Sequence, residues 1–315
     1  MLVPFLRRFA YFGLCVAIAS CSAQPTSISS PSPSPTNPSA EETKTIVLAD
    51  ASKNPSKKIK RFQPLADYLA ANLEEEFGIT KGEVKIAPDL ETVIQWLKDG
   101  EADLYIDSPY PAMLAVQQAG AQPILRRWKD GDAEYRTIIF TMADRGINSL
   151  ADLKGKSIAF DDNRSTTGYM LPLFHLLKAG LNPAEKPSMN SLIATGEVGY
   201  VFSNDDDNTT EWTIEGKTAA GALDNQTFEK VPEDLRTEMK VLVETENITR
   251  NIVLVRANMP PSQIEAIETV LLAMDKTPEG QAVLKQFAET TKFDRFPTTA
   301  SLKRMQEIYD RVQAR

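Results

Sequence analysis

Histidine occurs once in this chain and cysteine twice, in 315 residues. One histidine cannot build a histidine-based metal site, and it leaves no second imidazole for a catalytic triad. Cys15 and Cys21 both lie near the N-terminus. The folded part therefore has no disulfide, no cysteine metal site and no cysteine nucleophile. No phosphate-loop lysine motif and no internal repeat occur. Basic clusters are also scarce. The largest is Lys57-Lys58-Ile59-Lys60-Arg61, which reads as a solvated face, and the formal charge is −8. Nucleic acid is thus not an expected partner. No apolar run is long enough to span a bilayer.

Hydrophobic residues make up 42% of the chain, an ordinary globular proportion, and the length allows two domains. Residues 1–20 read as a targeting segment, with Arg7 and Arg8 before an apolar run from Phe9 to Ala19. Ile18-Ala19-Ser20-Cys21 resembles a lipobox, in which the Cys21 sulfur accepts the acyl chain. A plain secretory signal or a short anchor is the rival reading. Removing residues 1–20 takes away two arginines and no acid, moving the charge from −8 to −10. Residues 21–43 are rich in Ser and Pro and lack the apolar residues that offset ordering. They read as a disordered tether holding a soluble body off a membrane.

The body alternates apolar β-type runs with helical periods. Lys44–Asp50, Val84–Ile86 and Asp103–Ile106 read as strands; Phe62–Phe77, Glu91–Lys98 and Pro111–Ala119 as helices. Further strands are expected at Ala133–Ala143, Ile158–Phe160, Val198–Phe202, Thr218–Leu223, Val241–Glu244 and Asn251–Arg256. Helices close the chain at Pro260–Met274, Pro278–Phe287 and Thr299–Val312. This alternation predicts an α/β fold with a largely parallel sheet, whose ligands sit at the carboxyl ends of strands. Asp107 and Ser108 occupy one such end, Asn208 follows a second, and Asp224 stands at a third.

The stretch Ile158–Gly180 is the most informative. A strand ending at Phe160 turns through Asp161–Arg164 into Ser165-Thr166-Thr167-Gly168 and then a helix, which Gly180 stops. Such a turn leaves backbone amides free and adds the helix dipole, which suits an anion. The same residues also suit an ordinary N-cap. Pro172 falls within the first turn or so, where a missing amide costs little.

Four segments taken in order resemble a known family, the substrate-binding proteins of phosphate/phosphite/phosphonate ABC importers. They are Tyr135-Arg136-Thr137-Ile138-Ile139, Ser149–Lys156, Asp162–Pro172 and Glu215–Ala222. The resemblance implies a two-lobed periplasmic-binding-protein fold, type II-like, each lobe a mixed sheet flanked by helices. Residues 44–137 plus 251–315 form lobe I and 138–250 lobe II. Two crossings near Thr137–Asp144 and Thr245–Arg256 form a two-strand hinge. It further implies that Tyr135 contacts the ligand, that Ser165, Thr166 and Thr167 hold an oxyanion, and that Gly168 completes the turn. Arg250 falls near the place where aminoalkylphosphonate-binding members carry a carboxylate. A guanidinium there favours an anion over an amine. The family's histidine after the strand at Phe202 is missing, and Asp205-Asp206-Asp207 stands there instead. That run reads as a solvated loop. His175, among Leu and Phe, reads as a packed helix residue.

The expected protein is a monomeric, lipid-anchored binding protein on the periplasmic side of the cell envelope. It passes a small phosphorus anion to ABC permease subunits, with no cofactor, no metal and no catalysis. Two alternatives stay open. One is a two-lobe sensor serving a membrane signalling partner. The other is a hydrolase using Asp161/Asp162 or Asp205–Asp207 as paired carboxylates.

Overall fold

The computed structural model describes residues 44–315. The targeting segment, the tether and Cys21 lie outside the described residues. Two six-stranded sheets carry the described chain, joined by a two-stranded ribbon.

The first sheet is built from β1 (Lys44–Ala51), β2 (Ile79–Ala87), β3 (Leu104–Asp107) and β4 (Gln122–Lys129), with β13 (Asn251–Val255) and β14 (Thr290–Asp294) returning late in the chain. Its order is β14-β4-β13-β3-β1-β2. The pairs β1/β2 and β1/β3 are parallel, whereas β13 runs antiparallel to both β3 and β4. Helices α1 (Pro55–Phe77), α2 (Leu90–Asp99) and α3 (Pro109–Ala119) make its crossovers, each stopped by a left-handed glycine. Helix α1 begins earlier than its apolar period suggests. Asn54 caps it by accepting from the Lys57 amide, so Lys58 and Arg61 belong to the helix.

The second sheet contains β6 (Thr137–Met142), β7 (Ser157–Phe160), β8 (Asn182–Glu185), β9 (Glu197–Phe202), β10 (Ala220–Asp224) and β11 (Met239–Glu244), in the order β11-β6-β10-β7-β9-β8. Helices α4 (Leu171–Lys178), α5 (Asp206–Ile214), α6 (Asn225–Lys230) and α7 (Glu233–Thr237) accompany it. The ribbon pairs β5 (Glu134–Tyr135) with β12 (Ile248–Thr249), Tyr135 opposite Ile248. The chain closes through α8 (Pro261–Ala273), α9 (Pro278–Gln286) and α10 (Thr299–Gln313).

The expected single strand over Ala133–Ala143 is two. Around Arg136 the chain turns to bond Asn225: the Arg136 amide donates to Asn225 Oδ1 at 3.1 Å, and the Asn225 amide donates to Arg136 O at 3.0 Å. Glu134–Tyr135 therefore pairs in the ribbon, and Thr137–Met142 belongs to the second sheet. Four strands escape the sequence reading altogether, β4, β8, β12 and β14.

Apolar side chains of α2 and α3 share one buried cluster with those of β7, α4 and α10. Its centre is aromatic. The Tyr110 ring lies 5.7 Å from that of Tyr169 and 5.9 Å from that of Tyr309. This cluster backs the turn that carries Ser165–Gly168.

Candidate functional site

The turn after β7 is built by a proline and a glycine. Pro172 has no amide to give to the carbonyl four residues earlier. That carbonyl, on Gly168, instead accepts from the Asp161 amide at 3.1 Å. The Met170 amide reaches back five residues to Ser165 O at 3.1 Å, so the helix opens with a π-turn over Thr166–Met170 before α4. Ser165 caps it, accepting from the Gly168 amide at 3.0 Å. Only glycine fits at 168: a Cβ there would stand 2.5 Å from Asp161 Cβ and 2.9 Å from Ser165 Oγ. The amides of Thr166 and Thr167 open this helix, so no intrahelical acceptor exists for them. Both readings of the Ser/Thr run are thus present in one turn, a cap made by Ser165 and free amides beside it.

Ser165, Thr166 and Thr167 face a cavity of about 300 Å³. Ile106, Asp107 and Ser108 reach it from the end of β3, and Tyr135 from the ribbon. Arg250 and Asn251 enter from the start of β13, and Arg127 and Lys129 from β4. Lys58, Arg61 and Phe62 close it from the first turns of α1. Residues from the first sheet, the ribbon, α1 and the turn after β7 thus converge on one space. Five of the lining side chains are cationic and one, Asp107, is a carboxylate.

The deepest cations are short of acceptors. Arg250 is 8% exposed, and its Nε and Nη1 have no hydrogen-bond partner. Its Nη2 lies 3.6 Å from Asp130 Oδ2, and its Cζ lies 5.2 Å from the centre of the Tyr135 ring. Arg127 makes only neutral bonds, with Nε donating to Thr290 Oγ1 at 2.6 Å and Nη1 to Asn251 Oδ1 at 3.3 Å. Burial lowers its pKa to about 10, as expected for a cation desolvated without a close carboxylate. Burial, then the neighbouring Arg250, also pulls the Lys129 ammonium down. Burial pushes the Tyr135 hydroxyl well up, so it remains a protonated donor. Lys58 differs, being paired with the buried Asp50 carboxylate. Burial raises Asp50 to about 6 against the pull of that lysine.

Seven of the ten candidate binding residues line this cavity: Asp107, Ser108, Tyr135, Ser165, Thr166, Thr167 and Arg250. Gly168 sits behind it in the turn. Asn208 and Asp224 stand elsewhere. The Asn208 side chain donates from Nδ2 to Ser203 O at 3.1 Å, and Asp224 caps α6 by accepting from the backbone amides of Gln226 and Thr227. Asp205 caps α5, and Asp206 and Asp207 form its first turn. That run is a helix start rather than a loop. Burial and the neighbouring Asp161, Asp224, Asp205 and Asp207 push Asp206 up to about 7. His175 lies on α4 with Nε2 3.1 Å from Glu246 Oε2, away from the cavity.

Four cationic residues, Lys58, Arg61, Arg127 and Lys129, were not among the sequence candidates. The Lys57–Arg61 cluster puts two of its members, Lys58 and Arg61, on the cavity. Arg127 and Lys129 sit in a strand whose Pro123 and adjacent arginines hide its β character. The available signal was their alternation: Arg127 and Lys129 share one face, while Arg126 on the other pairs with Asp294 at 2.6 Å.

Comparison with known proteins agrees with this architecture. A family model described as "ABC transporter, phosphonate, periplasmic substrate-binding protein" matches residues 49–298. The phosphate-import protein PhnD of Mycolicibacterium smegmatis is 31% identical over 168 residues, 52% of this chain and 51% of that protein. The match thus spans about half the length of that curated relative. XAC2383 from Xanthomonas citri has been solved bound to chloride ion and bound to ATP. With chloride it superposes with a TM-score of 0.79 at 29% identity, covering 86% of this chain and 98% of that one. PhnD1 from Prochlorococcus marinus, in complex with methylphosphonate, gives a TM-score of 0.60 at 20% identity over 86% of this chain and 98% of that one, a likeness of fold. Among the described residues no helix is long and apolar enough to cross a membrane. This chain belongs to the periplasmic substrate-binding proteins of phosphonate ABC transporters.

Proposed function

We propose that this chain captures a phosphorus oxyanion in the cavity at Ser165–Thr167 and Arg250 and delivers it to an ABC permease. Phosphate, phosphite and alkylphosphonates form the ligand class. The observation that carries the reading is the Arg250 guanidinium, buried with Nε and Nη1 unpartnered on the cavity wall. A buried cation without hydrogen-bond acceptors is costly, and an incoming oxyanion removes that cost. The amides of Thr166 and Thr167, the Tyr135 hydroxyl and Lys129 supply further donors on other sides. All of these hold charge through hydrogen bonds without a covalent step, which suits reversible capture rather than turnover. The family is one of transport proteins, and its phosphate-importing relative supports the ligand class.

Delivery requires opening. The two crossings at Glu134–Tyr135 and Ile248–Thr249 are short and paired, and rotation about them parts the first sheet from the second. Cys21 carries lipid after removal of residues 1–20, and residues 21–43 tether a monomeric body on the periplasmic side of the envelope.

The test is calorimetric titration of the purified protein and of its Arg250→Met variant with phosphate, phosphite and methylphosphonate. At least one anion binds the native protein with micromolar or tighter affinity, about −8 kcal/mol. The variant binds that anion about 100-fold more weakly. Equal binding by the two proteins refutes the assignment.

A further inference from the structure

We propose that Asp107 selects the ligand by its proton, so that the cavity takes phosphorus oxyanions still carrying a P–OH and turns away sulfate and sulfonates. This deepens the oxyanion reading above and rests on it. Asp107 ends β3 and is the one carboxylate among the residues lining the cavity. Both its oxygens are fixed from the protein side. The Tyr105 hydroxyl donates to Oδ2 at 2.6 Å, and the Ser108 amide donates to Oδ1 at 2.6 Å. Tyr105 is itself only 1% exposed, so the carboxylate is held from a packed base. A carboxylate offers about four lone-pair positions, and roughly two remain.

The guanidinium and ammonium groups around the cavity only donate. Asp107, ionised, only accepts. A fully deprotonated oxyanion seated among the donors meets Asp107 as a like charge in a half-buried space, which disfavours it. A hydroxyl on phosphorus reverses the sign, since its proton makes a charge-assisted O–H···O bond to the carboxylate. The second ionisation of a phosphoryl group falls near neutrality, at about pH 6 for a phosphate monoester. Phosphorus oxyanions therefore keep that proton in part of their population. Sulfate and sulfonates, of similar shape, have none to offer. Simple neutralisation of the neighbouring cations is the competing role for Asp107, and it predicts no preference between the two elements.

Calorimetry with phosphate, methylphosphonate, sulfate and methanesulfonate separates these roles. The native protein binds the better phosphorus anion at least about 100-fold more tightly than either sulfur anion, as a site built around a ligand hydroxyl does. Asp107→Asn keeps the shape, and the Tyr105 hydroxyl can turn to accept from the new amide. In that variant the preference collapses below about tenfold, with sulfate gaining affinity. Sulfate binding the native protein within tenfold of phosphate overturns the proposal. So does an unchanged ratio in Asp107→Asn with a native melting curve. If that variant does not fold, Asp107→Ser and the native ratio decide in the same way. If none of the four anions binds, the oxyanion reading itself fails.

Discussion

The Tyr110 amide donates to Thr166 Oγ1 at 2.8 Å, across the boundary between the two sheets. Tyr110 is in the first turn of α3, where no intrahelical acceptor exists, and Ser108 makes no side-chain cap there. Thr166, 1% exposed, supplies that acceptor from the turn after β7. One hydroxyl thus completes a helix start beside the first sheet while its residue lines the cavity from the turn after β7.

Thr166→Val keeps the side-chain shape and removes the acceptor. It leaves a buried amide unpaired, at a cost of about 1–3 kcal/mol. Thermal melts report this as a lower midpoint, and anion affinity falls because the turn at Ser165–Thr167 loses its tie to α3. A native melting curve and native affinity would show that the bond contributes nothing.

Arg250→Met acts with opposite signs on the two states. Without ligand, the substitution removes a buried charge with too few partners, so the melting temperature holds or rises. With a saturating phosphorus anion, the stabilisation given by ligand shrinks with the affinity. Differential scanning calorimetry with and without phosphate reads both signs in one experiment.

Gly168→Ala places a methyl 2.5 Å from Asp161 Cβ and 2.9 Å from Ser165 Oγ. The turn must spread, at about 1–3 kcal/mol. Ser165 and the amides of Thr166 and Thr167 shift with it, so affinity drops together with stability. Urea unfolding and titration on the same sample check both.

Asp206 gives a pH signature. Its folded pKa is raised to about 7, so in the range from the ordinary aspartate value up to about 7 the folded state binds more protons than the unfolded. Its contribution is therefore fully present below the unfolded pKa and is lost as pH rises through about 7. Asp206→Asn raises the melting temperature at pH 8 and raises it less at pH 5. Melts at the two pH values decide the sign.

Much of this architecture was legible in the chain because apolar periods and glycine stops mark it directly. The β1–α3 alternation, the turn at Ser165–Gly168 and the closing helices are of this kind. Asp107 was a candidate from its place at a strand end, and Arg250 only through the family resemblance. The rest of the cationic wall was not. Lys58 and Arg61 lie one helical turn apart in a stretch too polar to show a period. Asn54, not hydrophobicity, starts that helix. Strand β4 reads Gln-Pro-Ile-Leu-Arg-Arg-Trp-Lys, and its charges are tolerated in a sheet only because Asp294, Thr290 and the cavity receive them. Those partners are distant in sequence. Asn208 and Asp224 lie off the cavity, since polar residues after strand ends bond to the local backbone as readily as they face a ligand.

The central claim is that the cavity bounded by Ser165–Thr167 and Arg250 receives a phosphorus oxyanion. Titration of the purified protein with phosphate, phosphite, methylphosphonate and an aminoalkylphosphonate tests it most directly. The account predicts a saturable heat at micromolar or lower concentration for at least one of them, lost in Arg250→Met. Flat traces for all four with folded protein would contradict it.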